Sequence, residues 1–226
     1  NDADGDAVTL ETTTKPDWLT VPGVEVLVQT DFSGRTVSGK TASNISWTTN
    51  GIADPGPLTA VDAALFNSAN TQGHFAPDRN VDNEGPWSVA IPIQLNVPEV
   101  TLENVVFDWQ HFSNAGAFQS QSRSVDWTGT VAGDNSGQVS TETALNVSGM
   151  SGSQTLTFAI PLVLTNSENW TFTLTAQGTT GGNNTGLDAI AIYGTGNIAS
   201  DYVLSGTPAS DDVGDHLVIL KATDPG

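Results

Sequence analysis

The feature that most constrains the fold is a succession of short segments rich in β-branched and aromatic residues, separated by glycine, asparagine and serine. Segments of roughly five to eight residues with such turns between them are typical of antiparallel sheets. No helical segments alternate with them, which excludes a parallel sheet. We therefore predict an all-β fold, an antiparallel jelly-roll β-sandwich, with main strands at residues 88–95, 101–112, 124–132, 137–147, 154–158, 170–177 and 187–193.

The part that precedes these strands is less regular. Residues 23–31 are predicted to form a first strand, whose valines alternate imperfectly because both faces are partly covered. Residues 43–49 alternate again and run into Asn50-Gly51, which predicts a tight turn. Residues 58–70 alone have helical leanings, and we predict a short helical turn or loop there.

Composition bounds the class of protein. The 226 residues suffice for one large or two modest domains. The absence of cysteine excludes disulfides, a thiolate nucleophile and a cysteine-ligated zinc site. Lys and Arg number 6 against 25 Asp and Glu, a formal net charge of −19. Such a surface repels nucleic acid and anionic membranes, and no apolar run is long enough for a membrane span, so we predict neither nucleic-acid binding nor membrane insertion.

The two ends of the chain look like two halves of one small β-sandwich. They contain five short motifs, Asp4-Gly5-Asp6, Pro16-Asp17-Trp18-Leu19, Leu204-Ser205-Gly206-Thr207-Pro208, Asp212-Val213-Gly214 and Ala222-Thr223-Asp224. These motifs, in this order, resemble the dystroglycan-type cadherin-like repeats, and the related Ig-like repeats, of very large bacterial surface proteins. Family strands at both ends are missing here, and a whole domain stands in place of a hairpin.

This resemblance implies a jelly roll, residues 22–200, inserted in a partial Ig/cadherin-like β-sandwich formed by residues 1–21 and 201–226. It also implies an extracellular or cell-surface location. No signal peptide is present, so we expect a segment of a longer exported polypeptide. Because a half-sandwich leaves open sheet edges, neighbouring repeats or subunits are expected to complete them.

The inserted part carries a resemblance of its own. Asp31-Phe32 and residues 182–192, GNNTGLDAIAI, are similar to the first and last strands of concanavalin-like and carbohydrate-binding jelly rolls of secreted bacterial proteins. In those folds the terminal strands lie side by side and their carboxylates often hold a structural calcium. The resemblance therefore implies calcium at Asp31 and Asp188, while turn or capping hydrogen bonds are the alternative role of such short acids.

Two further acidic stretches have oxygen donors at alternate positions, the pattern that lets several oxygens converge on one Ca²⁺. Each has a simpler interpretation, as a solvated turn or an ordinary polar loop. The candidate ligands are Asp2, Asp4 and Asp6 in the first stretch and Asp78, Asn80, Asp82 and Glu84 in the second.

Catalytic patterns are missing from the sequence. The three histidines have no zinc-binding spacing, and no nucleophile elbow occurs. Asp108 and His111 would point to opposite faces of a strand, so they are poorly placed as a dyad. We predict that the chain is not an enzyme, although the sequence leaves open a carboxylate pair for glycoside cleavage.

Carbohydrate binding is the alternative function. Tryptophans can stack on sugars, yet a tryptophan in a strand of a sandwich is usually part of the core. The better ligand-binding candidates are the loop residues Phe118, Gln119, Gln121 and Arg123. The sequence thus leaves two functions: a calcium-binding structural or adhesive module of a large extracellular surface, matrix or filament protein, or a module that binds extracellular polysaccharide.

Overall fold

A computed structural model describes residues 9–14, 19–20, 25–62, 74–76, 86–111, 123–149, 153–178, 185–197, 205–206 and 219–223. In these ranges every regular element is a strand, and there is no helix that is long and apolar enough to span a membrane. The strands are β1 (Thr9–Thr14), β2 (Leu19–Thr20), β3 (Glu25–Thr30), β4 (Thr36–Ser38), β5 (Thr41–Ser43), β6 (Thr48–Thr49), β7 (Leu58–Val61), β8 (Trp87–Ile93), β9 (Glu99–His111), β10 (Arg123–Gly133), β11 (Val139–Gly149), β12 (Gln154–Thr165), β13 (Trp170–Gly178), β14 (Thr185–Asn197), β15 (Ser205–Gly206) and β16 (Ile219–Thr223).

The chain divides into two compact units, Asn1–Val24 with Ser200–Gly226, and Glu25–Ala199. In the first unit, β1 pairs antiparallel with β16 and β2 pairs antiparallel with β15. Backbone hydrogen bonds therefore join the two ends of the chain. Two statements about this unit stay predictions: it is a cadherin-like repeat, and other repeats or subunits cover its edges.

The second unit is an antiparallel β-sandwich. One sheet has the order β12-β9-β14-β3-β6, and the other has the order β11-β10-β13-β8-β7-β5-β4. Its long strands follow the jelly-roll arrangement, because β3, β14, β9 and β12 lie side by side in one sheet and β8, β13, β10 and β11 in the other. The predicted all-β jelly-roll sandwich is confirmed.

The core lies between the two sheets and is rich in aromatic rings. Side chains of β13 are alternately buried and half-buried along its whole length. Phe107 packs at ring-centroid distances of 5.0 Å from Trp127 and 5.2 Å from Phe158. Such ring pairs contribute about 0.5–1.5 kcal/mol each beyond the burial of their area. The fully buried tryptophans are Trp87, Trp109, Trp127 and Trp170, which places the strand tryptophans in the core as expected.

The structure corrects three element boundaries. Residues 43–49 are not one strand, because Asn44 has a left-handed φ of 54° that separates β5 from β6. Residues 58–61 form β7 instead of a helical turn, because pairing with β5 and β8 outweighs their local preference. Strand β12 extends past Phe158 to Thr165 in spite of Pro161, since β12 is an edge strand whose pairing shifts at this point.

Candidate ligand-binding face

The outward side of the five-stranded sheet is organised around its middle strand, β14. Ile190 and Ile192 point inwards and are buried, so the residues between them face outwards by strand alternation. These outward residues are Ala189, Ala191 and Tyr193, each half-buried. The two alanines leave a low, flat floor on the sheet, with an aromatic ring at one end of it.

Residues of neighbouring strands surround this floor. Asp108 of β9 lies opposite Ala189, while Val106 of β9 and Gln29 of β3 lie opposite Ala191. Together they form an open depression of about 500 Å³. It is lined by Gln29, Thr30, Asp31, Ser33, Ser46, Thr48, Val106, Phe107, Asp108, Ala189, Ile190, Ala191 and Tyr193. The described lining has two carboxylates and several amide and hydroxyl groups, and it has no lysine or arginine.

Both carboxylates in the depression are held by local hydrogen bonds. Asp31 follows β3, and its Oδ1 accepts a hydrogen bond of 2.9 Å from the backbone N–H of Ser33. The hydrogen bond from the Ser33 side chain has the largest effect on the pKa of Asp31, and the hydrogen bond from the Ser33 backbone comes second. Together they hold this pKa below its ordinary value, although slight desolvation raises it. Asp108 accepts a hydrogen bond of 2.5 Å from the Thr155 hydroxyl of β12. These contacts fix the oxygens in place and keep the charge of Asp31 at neutral pH.

A polar group that includes Asp188 lies at the end of the same sheet. In the pairing of β14 with β9, Leu187 is opposite Trp109 and Ala189 is opposite Asp108, so Asp188 is the extra residue of a β-bulge. The bulge lets Leu187 and Ile190 both face the core while Asp188 stays on the outside.

The carboxylate of Asp188 is already engaged. Nδ1 of His74 lies 2.5 Å from its Oδ1, and the Gln110 side chain donates to its Oδ2. Burial raises the pKa of Asp188, but hydrogen bonds from His74, Gln110 and Ser153, with the charge of His74, outweigh it and leave the pKa below its ordinary value. His74 is positioned by Phe75, whose backbone exchanges hydrogen bonds of 2.8 and 2.9 Å with Leu187.

Of the predicted metal ligands, Asp31 and Asp188 fall in the described part of the chain. Asp188 lies in β14, and Asp31 directly follows β3, the strand that pairs with β14. No group of three or more His, Asp or Glu that could hold a metal ion occurs among the residues that the structure describes. Calcium at Asp31 and Asp188 therefore stays a prediction.

The remaining predicted site residues cannot be placed in this way. Arg123 begins β10 opposite Gly149, and its side chain is not among the described atoms. The others lie outside the described residues: Asp2, Asp4 and Asp6, Asp78, Asn80, Asp82 and Glu84, and Phe118, Gln119 and Gln121.

Asp108 and His111 lie on opposite faces of β9, as predicted: His111 is buried against Trp109, with ring centroids 5.3 Å apart, while Asp108 faces outwards. The depression itself is not among the features predicted from the sequence. One signal was available: in β14, alanines alternate with isoleucines, which predicts a strand with one flat outer face. Which residues of other strands meet that face depends on register, and the sequence does not show it.

Comparison with known proteins gives weak likenesses. No family model matches the sequence, and no curated protein matches it. The carbohydrate-binding module TmCBM61, solved in complex with β-1,4-galactotriose, is 17% identical with a TM-score of 0.34, covering 73% of this chain and 88% of that chain. The isomalto-dextranase of Arthrobacter globiformis T6, complexed with panose, is 12% identical with a TM-score of 0.30, covering 77% of this chain and 33% of that chain. At TM-scores this low, neither likeness bears on the ligand of the present chain.

Proposed function

We propose that the unit Glu25–Ala199 binds carbohydrate that bears no negative charge, through the outward side of the five-stranded sheet. The observation that carries this proposal is the depression over Ala189 and Ala191, with Tyr193 and two carboxylates in its wall and no basic side chain in its described lining.

The lining suits the two kinds of surface that a sugar presents. An ionised carboxylate only accepts hydrogen bonds, and its two oxygens can take the hydroxyl protons of adjacent ring positions. The apolar C–H face of a pyranose packs on an aromatic ring or on small apolar side chains. The net charge of −19 opposes anionic ligands, including nucleic acid and acidic polysaccharides.

The structural role predicted from the sequence is compatible with this function. A spacer or adhesive module of an extracellular surface protein would use the unit formed by the chain ends, whereas the depression belongs to the other unit. The predicted calcium ligand Asp31 lines the depression, so calcium and sugar would share this residue. One chain could therefore both extend a surface protein and display a glycan-binding face. Calcium binding, surface location and assembly partners remain proposals.

Binding to soluble neutral polysaccharides, measured by affinity electrophoresis and calorimetry, tests the proposal. Tyr193→Ala is expected to weaken binding by about tenfold, because loss of a stacked ring costs on the order of 1 kcal/mol or slightly more. The matched control is Leu145→Ala, which removes a 67% exposed side chain from β11 of the other sheet. A polyanionic polysaccharide is the negative ligand. Unchanged binding by Tyr193→Ala, or equal losses in both variants, would count against this face.

A further inference from the structure

We infer that the depression prefers carbohydrates that carry protonated amines over uncharged sugars of the same linkage. This inference rests on the proposed function and names the class of ligand for the same site. The observations behind it are the placement of Asp31 and Asp108 in one depression and the composition of the described lining around them.

Among the described lining residues of the depression, two carboxylates carry negative charge and no side chain carries positive charge. Asp31 and Asp108 both line the depression, and the described lining offers no lysine, arginine or histidine to pair with either. Their hydrogen bonds come from neutral donors, Ser33 and Thr155. A neutral ligand that covers a carboxylate removes water without supplying an opposite charge, and that desolvation is costly. A ligand ammonium group supplies the charge and forms the stronger, charge-assisted hydrogen bond.

The spacing of the two acids favours an oligosaccharide over a small cation. Asp108 lies opposite Ala189 on one side of β14. On the other side, Thr30 lies opposite Ile190, so Asp31, one residue further on, stands beside Ala189. Two strand spacings separate the backbones, roughly 10 Å. A chain of amine-bearing sugars can reach both carboxylates across the alanine floor.

A single calcium ion fits this spacing poorly. Its oxygen ligands must all lie at about 2.3–2.6 Å from the metal, and it takes roughly six to eight of them. The backbones that carry Asp31 and Asp108 lie on opposite sides of β14, and this pair alone supplies far fewer oxygens than calcium takes. The described residues contain no group of three acids or histidines at metal-binding distance. Ligands that spread their positive charge along a polymer match the site better.

The test compares three β-1,4-linked oligosaccharides of equal length, built from glucosamine, N-acetylglucosamine or glucose. They share one backbone and differ at C2, which carries an ammonium group, an amide or a hydroxyl. Calorimetry at low ionic strength, at a pH where the amine is protonated, is expected to show about tenfold tighter binding of the glucosamine oligomer, as charge-assisted hydrogen bonds are roughly twice as strong as neutral ones. Added salt should shrink this preference and leave the neutral affinities unchanged.

The variants that locate the preference are Asp31→Asn and Asp108→Asn. Each removes one charge but keeps the side-chain oxygen that accepts from Ser33 or from Thr155, so the local hydrogen bonds survive. The matched control, Glu142→Gln, removes one charge from an exposed position of β11 in the other sheet.

The inference requires the preference to fall in both asparagine variants and to persist in Glu142→Gln. Equal affinity of the wild type for all three oligosaccharides, or a preference that survives in either asparagine variant, overturns the inference and leaves carbohydrate binding standing. Failure of all three oligosaccharides and of the neutral polysaccharides to bind overturns the proposed function itself.

Discussion

The substitution Gly129→Ala tests how tightly the core beneath the candidate face is packed. Gly129 lies in β10, opposite Glu142 of β11 and Leu174 of β13, and it is buried. A Cβ atom at this position would lie 2.6 Å from Cδ2 of Phe158 and 3.0 Å from Cε2 of Phe172. Because non-bonded carbons prefer about 3.5–4.0 Å, the ring of Phe158 would have to retreat by roughly 1 Å.

Neighbouring rings oppose this retreat. Phe158 packs against Phe107 at a centroid distance of 5.2 Å and an interplanar angle of 70°, and Phe107 packs in turn against Trp127 at 5.0 Å. Overpacking a filled core costs about 1–3 kcal/mol. Replacement of glycine by alanine also restricts the unfolded chain, which returns about 0.4–1 kcal/mol. We expect Gly129→Ala to lower the free energy of unfolding by about 1–2 kcal/mol, the difference between these effects.

Urea unfolding followed by tryptophan fluorescence measures this cost, since four buried tryptophans report on the unit that contains Gly129. The midpoint should fall while the slope with urea stays constant. Phe158→Leu, which removes the Cε and Cζ atoms of the obstructing ring and leaves a shorter side chain that can rotate, provides the internal check. In a double-mutant cycle, the cost of Gly129→Ala should become smaller in the Phe158→Leu background. An unchanged or raised midpoint for Gly129→Ala, or strictly additive costs, would refute the packing argument.

Three further predictions concern β14 of the five-stranded sheet and the predicted calcium ligands. Gly194→Ala should lower the free energy of unfolding by about 3 kcal/mol or more in the same urea assay. The reason is that the added Cβ would meet the carbonyl oxygen of Thr101, a backbone atom that cannot move as a side chain can. A smaller loss than that of Gly129→Ala would contradict this prediction. Asp188 has a lowered folded pKa, so its stabilisation is complete above its unfolded pKa of about 3.9 and is lost as the pH falls through the folded value. Asp188→Asn should therefore lower Tm at pH 7, and this loss should shrink progressively as the pH falls below about 3.9; a loss that is independent of pH would speak against the hydrogen bonds with His74 and Gln110. Calcium at about 100 times its Kd should raise the stability of chelator-treated protein by about 2.7 kcal/mol if the predicted calcium sites exist, and an unchanged Tm up to millimolar calcium would refute them.

The architecture of the sandwich was accessible from the sequence because alternation is a local signal. Strands such as β13 have one buried and one half-buried face, and this alternation can be recognised from consecutive residues of the sequence. The wrong element boundaries also have physical causes. The residues around Asn44 do not determine its left-handed φ. Pro161 predicts the end of a strand unless that strand is known to be at the edge of a sheet.

The candidate face was not accessible, because it is a property of register. Three lining residues come from distant parts of the sequence: Asp31 directly after β3, Asp108 in β9 and Tyr193 in β14. Their meeting depends on β14 lying between β3 and β9, and on a bulge at Asp188 that shifts the pairing by one residue. A shift of one residue moves every side chain to the opposite face, so knowledge of the strands without the bulge would have misplaced the site.

The bulge also bears on how β14 is held in the core beneath the face. On one side of Asp188, Leu187 is buried, and on the other Ile190 and Ile192 are buried. These three buried side chains fix β14 in the core. The outward residues of β14 are therefore already ordered before a ligand binds, so binding does not have to order them. If binding uses this face, substitutions in the core should change the free energy of unfolding and leave the affinity of the folded protein nearly constant. Substitutions of Tyr193 or Asp108 should do the reverse, and this separation would distinguish a preformed site from one that the ligand must assemble.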